Sequence, residues 1–290
     1  MKLKKSIEKA KQQRQEAIRK SAEQASPEEK PEHNPLNEPN VQNDPNEYKE
    51  VGRKEWTSPV YSESKTVTLD SKKLALNRVI SLFPDIPEAE YYKVLRTNIQ
   101  QRMRENNWNT IMVTSVQAGE GKTLTAINLA ITFAKEYDQT VLLVDCDLKR
   151  QNVHQYLNFS SEKGIVDYLM NGHPLRDLIV WPNIEKLTLI SGGKTIPNSA
   201  ELLGSPRMKA FVREIKSRYD DRYIIFDTSP VLGLADAITF APLVDCILMV
   251  VEEGRTSLKD VNKALDLLPK DKFLGFVLNR RTSPLQKYYY

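Results

Sequence analysis

A glycine-rich segment with a lysine and a threonine carries the clearest chemistry in this sequence. Residues 111–115 form an apolar run typical of a buried strand, and Val-Gln-Ala-Gly-Glu-Gly-Lys-Thr (116–123) follows directly, before a helical pattern. Backbone N–H groups at such a turn bind anions, and glycine lets the main chain approach phosphate oxygens. The side chains of Lys122 and Thr123 suit phosphate and Mg²⁺, respectively. ATP with Mg²⁺ is therefore the predicted ligand, and its predicted contacts are Ala118, Gly119, Glu120, Gly121, Lys122, Thr123 and Leu124.

Three aspartates follow two further apolar runs. Residues 141–145 end in Asp145, Asp147 comes two positions later, and residues 223–227 end in Asp227. In a parallel sheet these strand ends lie at one edge, beside the loop that follows the first strand. Phosphoryl transfer needs carboxylates that hold a metal and orient the nucleophile. The predicted metal ligands are Thr123, Asp147 and Asp227, and the predicted catalytic residues are Lys122, Asp145 and Asp147.

Asp145 is the residue that we expect to orient or deprotonate the attacking hydroxyl. The sequence alone does not separate this role from that of Asp147. For each aspartate the alternative is an ordinary carboxylate at a strand end that caps the next helix.

Strand and helix patterns alternate through the middle of the chain. This alternation predicts an α/β fold of Rossmann-like P-loop NTPase type, with a mainly parallel sheet of about six to eight strands flanked by helices. The predicted strands are 110–115, 141–145, 187–190, 223–227, 246–251 and 273–278, and the main helices are 88–104, 123–135, 208–219 and 258–268.

Charge and composition set the N-terminal part apart. Residues 1–25 carry eight Lys/Arg and three Asp/Glu, a surplus of +5 against a net charge of +4 for the 290 residues, so the remainder is not a basic nucleic-acid surface. This segment is either a solvated, partly helical tail or a helix that docks on an anionic membrane or a partner. The next stretch, rich in Pro, Glu and Asn, predicts disorder. We divide the chain into an N-terminal segment (1–66), a folded domain (67–285) and a tyrosine-rich tail (286–290).

From about residue 88 onward the sequence resembles the bacterial tyrosine kinases of capsule and exopolysaccharide synthesis. Residues 114–123 are similar to the family's Walker A motif, with Ala118 where proline is common. Residues 141–150 resemble its Walker A′ motif and 224–231 its Walker B motif, and 164–169, 198–203 and 236–237 also match family positions. The resemblance implies an ATP-dependent protein-tyrosine autokinase.

Further residues gain a role only from this resemblance. Tyr288, Tyr289 and Tyr290 are expected to be phosphorylated between subunits, although three aromatic residues could instead form a packing patch. Glu90, Lys93 and Arg96 are similar to the Glu-x-x-Arg-x-x-Arg helix that builds oligomers, with Lys93 in place of the first arginine. A simple surface ion pair of Glu90 and Lys93 is the alternative. Asn279 resembles a position near the adenine, with strand capping as its alternative.

The family also implies partners and a place in the cell. We expect a homo-oligomer in the form of a ring, a separate membrane polysaccharide chain-length regulator as activator, and a tyrosine phosphatase. With no signal-peptide pattern and no long apolar run, the chain is expected in the cytoplasm, recruited to the inner face of the membrane. The competing interpretation is a partitioning or division-site ATPase switch. Those proteins carry a second lysine five residues before the loop lysine, and here Gln117 occupies that position.

Overall fold

A computed structural model describes residues 64–219 and 221–281 of the chain. In these residues, eight strands form one sheet in the order β1-β4-β5-β3-β6-β2-β7-β8. Neighbouring strands are parallel except for the antiparallel pair β4–β5. The mainly parallel α/β fold is thus confirmed. The strands are β1 (Lys65–Thr66), β2 (Thr110–Ser115), β3 (Thr140–Asp145), β4 (Val180–Trp181), β5 (Leu187–Ile190), β6 (Arg222–Asp227), β7 (Cys246–Glu252) and β8 (Phe273–Asn279).

Helices cover both faces of this sheet, which is why strands β2 and β3 are buried at every position. Along β2, Ile111 and Val113 belong to one hydrophobic cluster and Met112 to the other. One cluster packs beneath α1–α4 and the other beneath α5–α9. The helices are α1 (Ser71–Leu76), α2 (Ala89–Glu105), α3 (Lys122–Ala134), α4 (Val153–Tyr156), α5 (Ile165–Asn171), α6 (Ser199–Leu203), α7 (Pro206–Ser217), α8 (Asp236–Phe240) and α9 (Leu258–Asp266).

The sheet begins earlier in the chain than the sequence indicated. Lys65 and Thr66 form β1 and pair in parallel with Val180 and Trp181 of β4, so strand pairing starts before the expected boundary at residue 67. Both strands have two residues, too few to show any periodicity in the sequence. The predictions for residues 1–63 and for the tail tyrosines lie outside the described residues. Of the helices in the described part, none is long and apolar enough to cross a membrane.

Asp245 joins the amino-terminal ends of β2 and β7 to α7. Its carboxylate accepts hydrogen bonds from the backbone N–H of Asn109 (3.0 Å) and Thr110 (3.1 Å) and from the Thr110 hydroxyl (2.8 Å). It also accepts one from the ammonium of Lys216. Burial raises the pKa of Asp245, but the hydrogen bonds from Lys216, Asn109 and Thr110 outweigh it, so the pKa lies below its ordinary value.

Replacing Asp245 with Ala should lower the free energy of unfolding by about 3 kcal/mol near neutral pH, because several donors lose a charged acceptor at once. Since the folded pKa is depressed, this contribution is present above the unfolded pKa of about 4 and is lost as the pH falls through the folded value. Urea unfolding at several pH values measures the difference. An equal penalty at neutral and strongly acidic pH would contradict this account. Asp266→Ala, at an exposed pair with Lys270, should change stability by only about 0.5 kcal/mol or less.

Candidate nucleotide and phosphoryl-transfer site

The loop between β2 and α3 has the backbone geometry that a phosphate site requires. Gly119 and Gly121 have φ angles of +87° and +95°, which other residues adopt only with strain. A Cβ atom on Gly121 would lie 2.1 Å from Nδ2 of Asn279, so that position has no room for a side chain. The loop ends where α3 begins, and the free N–H groups of the first helical turn face its concave side.

A buried carboxylate holds the loop in this shape. Glu120 is fully buried, and its carboxylate accepts hydrogen bonds from Gln117 N (2.9 Å) and from Thr256 Oγ1 (2.5 Å). Asn279 Nδ2 donates to the Glu120 carbonyl (2.8 Å), and Arg255 Nη2 donates to the Ala118 carbonyl (3.2 Å). The Glu120 side chain is therefore bonded within the protein, which leaves only its backbone to face a ligand.

Arg255 and Thr256 were missed by the sequence analysis. They lie in the polar turn after β7, more than 130 residues along the chain from the loop that they contact. Nothing in their own sequence neighbourhood marks them. Asn279, which the resemblance indicated, does lie at the loop, and Leu124 is a half-buried residue of α3 that packs against the core.

Lys122 lies among the predicted carboxylates at the loop's end. Its Nζ is 2.6 Å from Asp147 Oδ2, 3.9 Å from Asp227 Oδ1 and 3.3 Å from Thr123 Oγ1. All four side chains are buried. The sheet register brings the third carboxylate to the same place, because Asp145 of β3 pairs directly with Asp227 of β6. The structure thus brings Lys122, Thr123, Asp145, Asp147 and Asp227 together.

Burial and the charges of neighbouring groups determine the pKa values in this site. Burial lowers the pKa of Lys122, but the charges of Asp227 and Asp147 outweigh it, so the pKa is raised and the ammonium stays charged. Burial raises the pKa of Asp227 to about 6, against the opposing charge of Lys122. Neither Asp227 oxygen accepts a hydrogen bond within the described residues. Such a carboxylate is costly unless a cation binds it.

Asp145 has contacts of a different kind. Its Oδ1 accepts from Asp147 N (3.2 Å), and its Oδ2 accepts from Val153 N (3.1 Å), the first residue of α4. Burial, with the nearby charge of Asp227, raises the pKa of Asp145 well above its ordinary value. These bonds match the helix-capping alternative, since both oxygens face backbone donors of the turn that follows β3. A direct role toward the attacking hydroxyl remains a prediction.

The donor set fits Mg²⁺. Hard oxygen ligands are available from the hydroxyl of Thr123 and the carboxylates of Asp147 and Asp227, and the two unbonded oxygens of Asp227 are free for a cation. Through residues 64–219 and 221–281 there is no group of three or more His, Cys, Asp or Glu arranged to hold a metal alone. This agrees with Mg²⁺, which binds through one or two carboxylates together with substrate phosphates.

The residues predicted to build oligomers divide into two kinds. Lys93 Nζ lies 2.7 Å from Glu90 Oε2 in an exposed pair, as the surface-pair alternative expected. Arg96 instead faces its own chain, 2.7 Å from Glu136 and hydrogen-bonded to the Thr132 carbonyl of α3 (3.2 Å). Only Glu90 and Lys93 therefore remain exposed to a second subunit.

The chain is similar to several known proteins. The family model described as an AAA domain matches residues 108–270. The chain is 32% identical to tyrosine-protein kinase YwqD of Bacillus subtilis over 71% of this chain and 87% of that protein. It is 30% identical to the putative tyrosine-protein kinase CapB of Staphylococcus aureus, over 70% and 89%. The solved kinase domain of the Escherichia coli tyrosine kinase ETK superposes with a TM-score of 0.65 at 29% identity, covering 73% of this chain and 84% of that one.

Replacing Asp227 with Asn should stabilise the protein in the absence of nucleotide at pH 8. Because its folded pKa of about 6 exceeds the ordinary 3.8, the carboxyl's contribution to stability is complete below about pH 4 and is lost as the pH rises through 6. Because Asn has no titrating carboxyl, the variant should have a free energy of unfolding higher than that of the parent protein by on the order of 3 kcal/mol at pH 8, and the difference should vanish in acid. Thermal unfolding at the two pH values measures it.

The same variant tests the metal assignment. In the unchanged protein, ADP with Mg²⁺ should raise the melting temperature more than ADP with a chelator, because ligand binding stabilises the folded state. In Asp227→Asn the two shifts should be nearly equal, while Asp266→Asn should behave like the parent protein. A full Mg²⁺-dependent shift in Asp227→Asn would remove Asp227 from the metal site.

Proposed function

The chain belongs to the bacterial tyrosine-protein kinases, and from that premise we propose that it phosphorylates tyrosines of its own C-terminal cluster. The substrates are ATP and the hydroxyls of Tyr288, Tyr289 and Tyr290, and the products are ADP and phosphotyrosine. The observation that supports this most directly is the buried contact of Lys122 with Asp147 and Asp227 beside a phosphate-binding loop.

Each residue of the site has a role in this proposal. The loop amides and the Lys122 ammonium bind the phosphates, for which Lys122 turns from Asp147 to the ligand. Thr123, Asp147 and Asp227 hold Mg²⁺, which when bound neutralises charge on the transferred phosphoryl group. In a loose transition state the attacking hydroxyl needs little activation by a general base. This is compatible with the hydrogen bonds that both Asp145 oxygens accept from backbone N–H groups.

Transfer between subunits is a further part of this proposal. We propose that one subunit's tail reaches the site of a neighbour within a ring, with Glu90 and Lys93 of α2 on the contacting surface. A separate membrane polysaccharide chain-length regulator activates the kinase at the cytoplasmic face of the membrane, and a tyrosine phosphatase reverses the modification. The phosphorylation state in turn regulates polymerisation and export of a capsule or exopolysaccharide.

The competing function is an ATPase switch of the partitioning or division-site type, which localises a complex without phosphorylating it. In that class a lysine at the position of Gln117 reaches across a dimer. Here Gln117 Nε2 instead lies 3.3 Å from Asp260 Oδ2 of α9 in the same chain. A short neutral side chain bonded in this way supports the kinase over the switch.

A mixing experiment tests transfer between subunits. A Lys122→Met protein with its tail intact should become labelled when it is mixed with an active protein in which Tyr288, Tyr289 and Tyr290 are all Phe. Neither protein should label appreciably alone, because one lacks the phosphate-binding ammonium and the other the acceptors. Mass spectrometry of phosphotyrosine after incubation with ATP and Mg²⁺ gives the readout. Lys209→Met, on the exposed side of α7, should label like the parent protein. Labelling of isolated Lys122→Met would refute the site, and no labelling in the mixture would refute transfer between subunits.

Phosphorylation should also loosen the oligomer. Each phosphate adds roughly −1.5 to −2 charges to the tail, which repels a neighbour's acidic site. Light scattering should therefore report a smaller mean mass after full labelling than before addition of ATP. The protein with three Phe substitutions in its tail should keep its mass throughout, and an unchanged mass in the labelled parent protein would contradict the mechanism.

A further inference from the structure

Several of the buried polar atoms that lack hydrogen-bond partners belong to segments that follow the strand ends beside the site. Within the described residues they include both carboxylate oxygens of Asp236, the hydroxyls of Ser199 and Ser229, and Nε2 of Gln151. All four residues follow the carboxyl ends of β3, β5 and β6, which are neighbours in the sheet. Native structures leave few such atoms unbonded, since each costs about 1–3 kcal/mol. This concentration points to a ligand.

The opposite side of the site is different. There the Glu120 carboxylate accepts from Thr256, and Arg255 and Asn279 donate to carbonyls of the phosphate loop. These side chains therefore already have hydrogen-bond partners within the protein. The polar atoms that lack partners therefore lie on the side toward β5, away from the turn after β7. A second ligand group, apart from the nucleotide phosphates, would meet the protein there.

Lys149 and Asp236 are the charged pair on this side. Asp236 is 1% exposed, and Lys149, whose side chain is 35% exposed, places Nζ 3.8 Å from Asp236 Oδ1. That separation is too long for a hydrogen bond, so the ammonium is held by charge alone and can turn toward a ligand at little cost. A buried carboxylate with a single loosely held cation stabilises a fold poorly, which argues for a role other than stability.

Lys149 lies close in the chain to a proposed metal ligand. Asp147, two residues before it, and Asp227 are the proposed metal ligands and so mark the reacting end of the nucleotide. An acceptor oxygen attacks there, in line with the leaving oxygen and on its far side. Lys149 is in the turn that follows Asp147, whereas Lys122 contacts the Asp147 carboxylate and Arg255 contacts the loop.

The wall beside Lys149 is built tightly from two segments. The Leu148 carbonyl accepts a hydrogen bond from Ile196 N (3.3 Å), which joins the turn after β3 to the segment after β5. The Gln151 side chain packs against Gly192. A Cβ atom on Gly192 would lie 2.3 Å from the amide carbon of Gln151. Its buried Nε2 has no acceptor within the described part of the chain.

We propose that Lys149 binds the phenolic oxygen of the acceptor tyrosine and that Asp236 positions its ammonium for this contact. The ligand is a tyrosine-bearing peptide in extended form, and the inference rests on the proposed kinase function. Asp236 touches neither substrate, so it is a positioning residue. An ammonium beside the phenol orients the hydroxyl through a charged hydrogen bond to its oxygen.

The test uses the full chain with Tyr288, Tyr289 and Tyr290 changed to Phe, and a peptide of residues 282–290 as acceptor. Lys149→Met and Asp236→Asn should each raise the KM for the peptide about tenfold, the effect of losing one charged hydrogen bond. Lys149→Arg, which keeps the charge, should recover part of the loss. The affinity for ADP with Mg²⁺ should stay within about twofold, and Lys209→Met should match the parent protein throughout.

Direct binding separates the pocket from the reaction. Fluorescence anisotropy with a labelled peptide should show weaker binding to Lys149→Met than to the parent protein, whether or not phosphate is transferred. Equal peptide binding and KM in both would overturn the pocket, as would a loss of ADP affinity equal to the loss of peptide affinity. A reduced melting temperature of Asp236→Asn with unchanged KM would show a structural role and refute positioning. Peptide binding without any phosphotyrosine in the parent protein would instead refute the kinase function.

Discussion

The balance of charge in a buried space controls the arrangement of the site. Asp145, Asp147 and Asp227 meet at the ends of two adjacent strands, and Lys122 is the cation in contact with them. Three carboxylates and one ammonium leave negative charge in a region with little solvent, where repulsion is poorly screened. The protein relieves part of it by bonding Asp145 to backbone N–H groups and by raising the pKa values of Asp145 and Asp227. What remains favours a divalent cation.

The features that could be predicted from the sequence are those in which one physical constraint acts on several consecutive residues. Strands such as β2 and β3 pack against helices on both faces, so every position is buried and the apolar residues at their centres follow one another without a break. Parallel pairing then places the strand-end carboxylates at one edge, and glycine at positions 119 and 121 follows from backbone angles that other residues avoid. These constraints are local or follow directly from the fold class, which is why the loop, Lys122 and the acidic residues could be identified together.

The remaining features depend on which distant groups meet. Arg255 and Thr256 reach the loop only because β7 is beside β2. Arg96 matches a motif of subunit contacts, yet Glu136 and the Thr132 carbonyl lie within its reach on α3, and the guanidinium bonds there. Asp145 and Asp147 looked equally suitable for chemistry, and their partners differ: both Asp145 oxygens accept from backbone N–H groups, whereas Asp147 accepts from Arg150 N and from the Lys122 ammonium. Strands β1 and β4 exist through their pairing and have no pattern of their own.

The order of the strands has a consequence for synthesis of the chain. Strand β2, which leads into the phosphate loop, has β6 and β7 as its two neighbours. Roughly 100 residues separate β2 from β6, the nearer of the two in the chain. At a translation rate of about 5–20 residues per second, β2 is therefore synthesised on the order of ten seconds before its first neighbour. During that interval an apolar strand with unpaired backbone groups is open to aggregation. One edge of strand 110–115 therefore stays without its native partner until residue 252 has emerged.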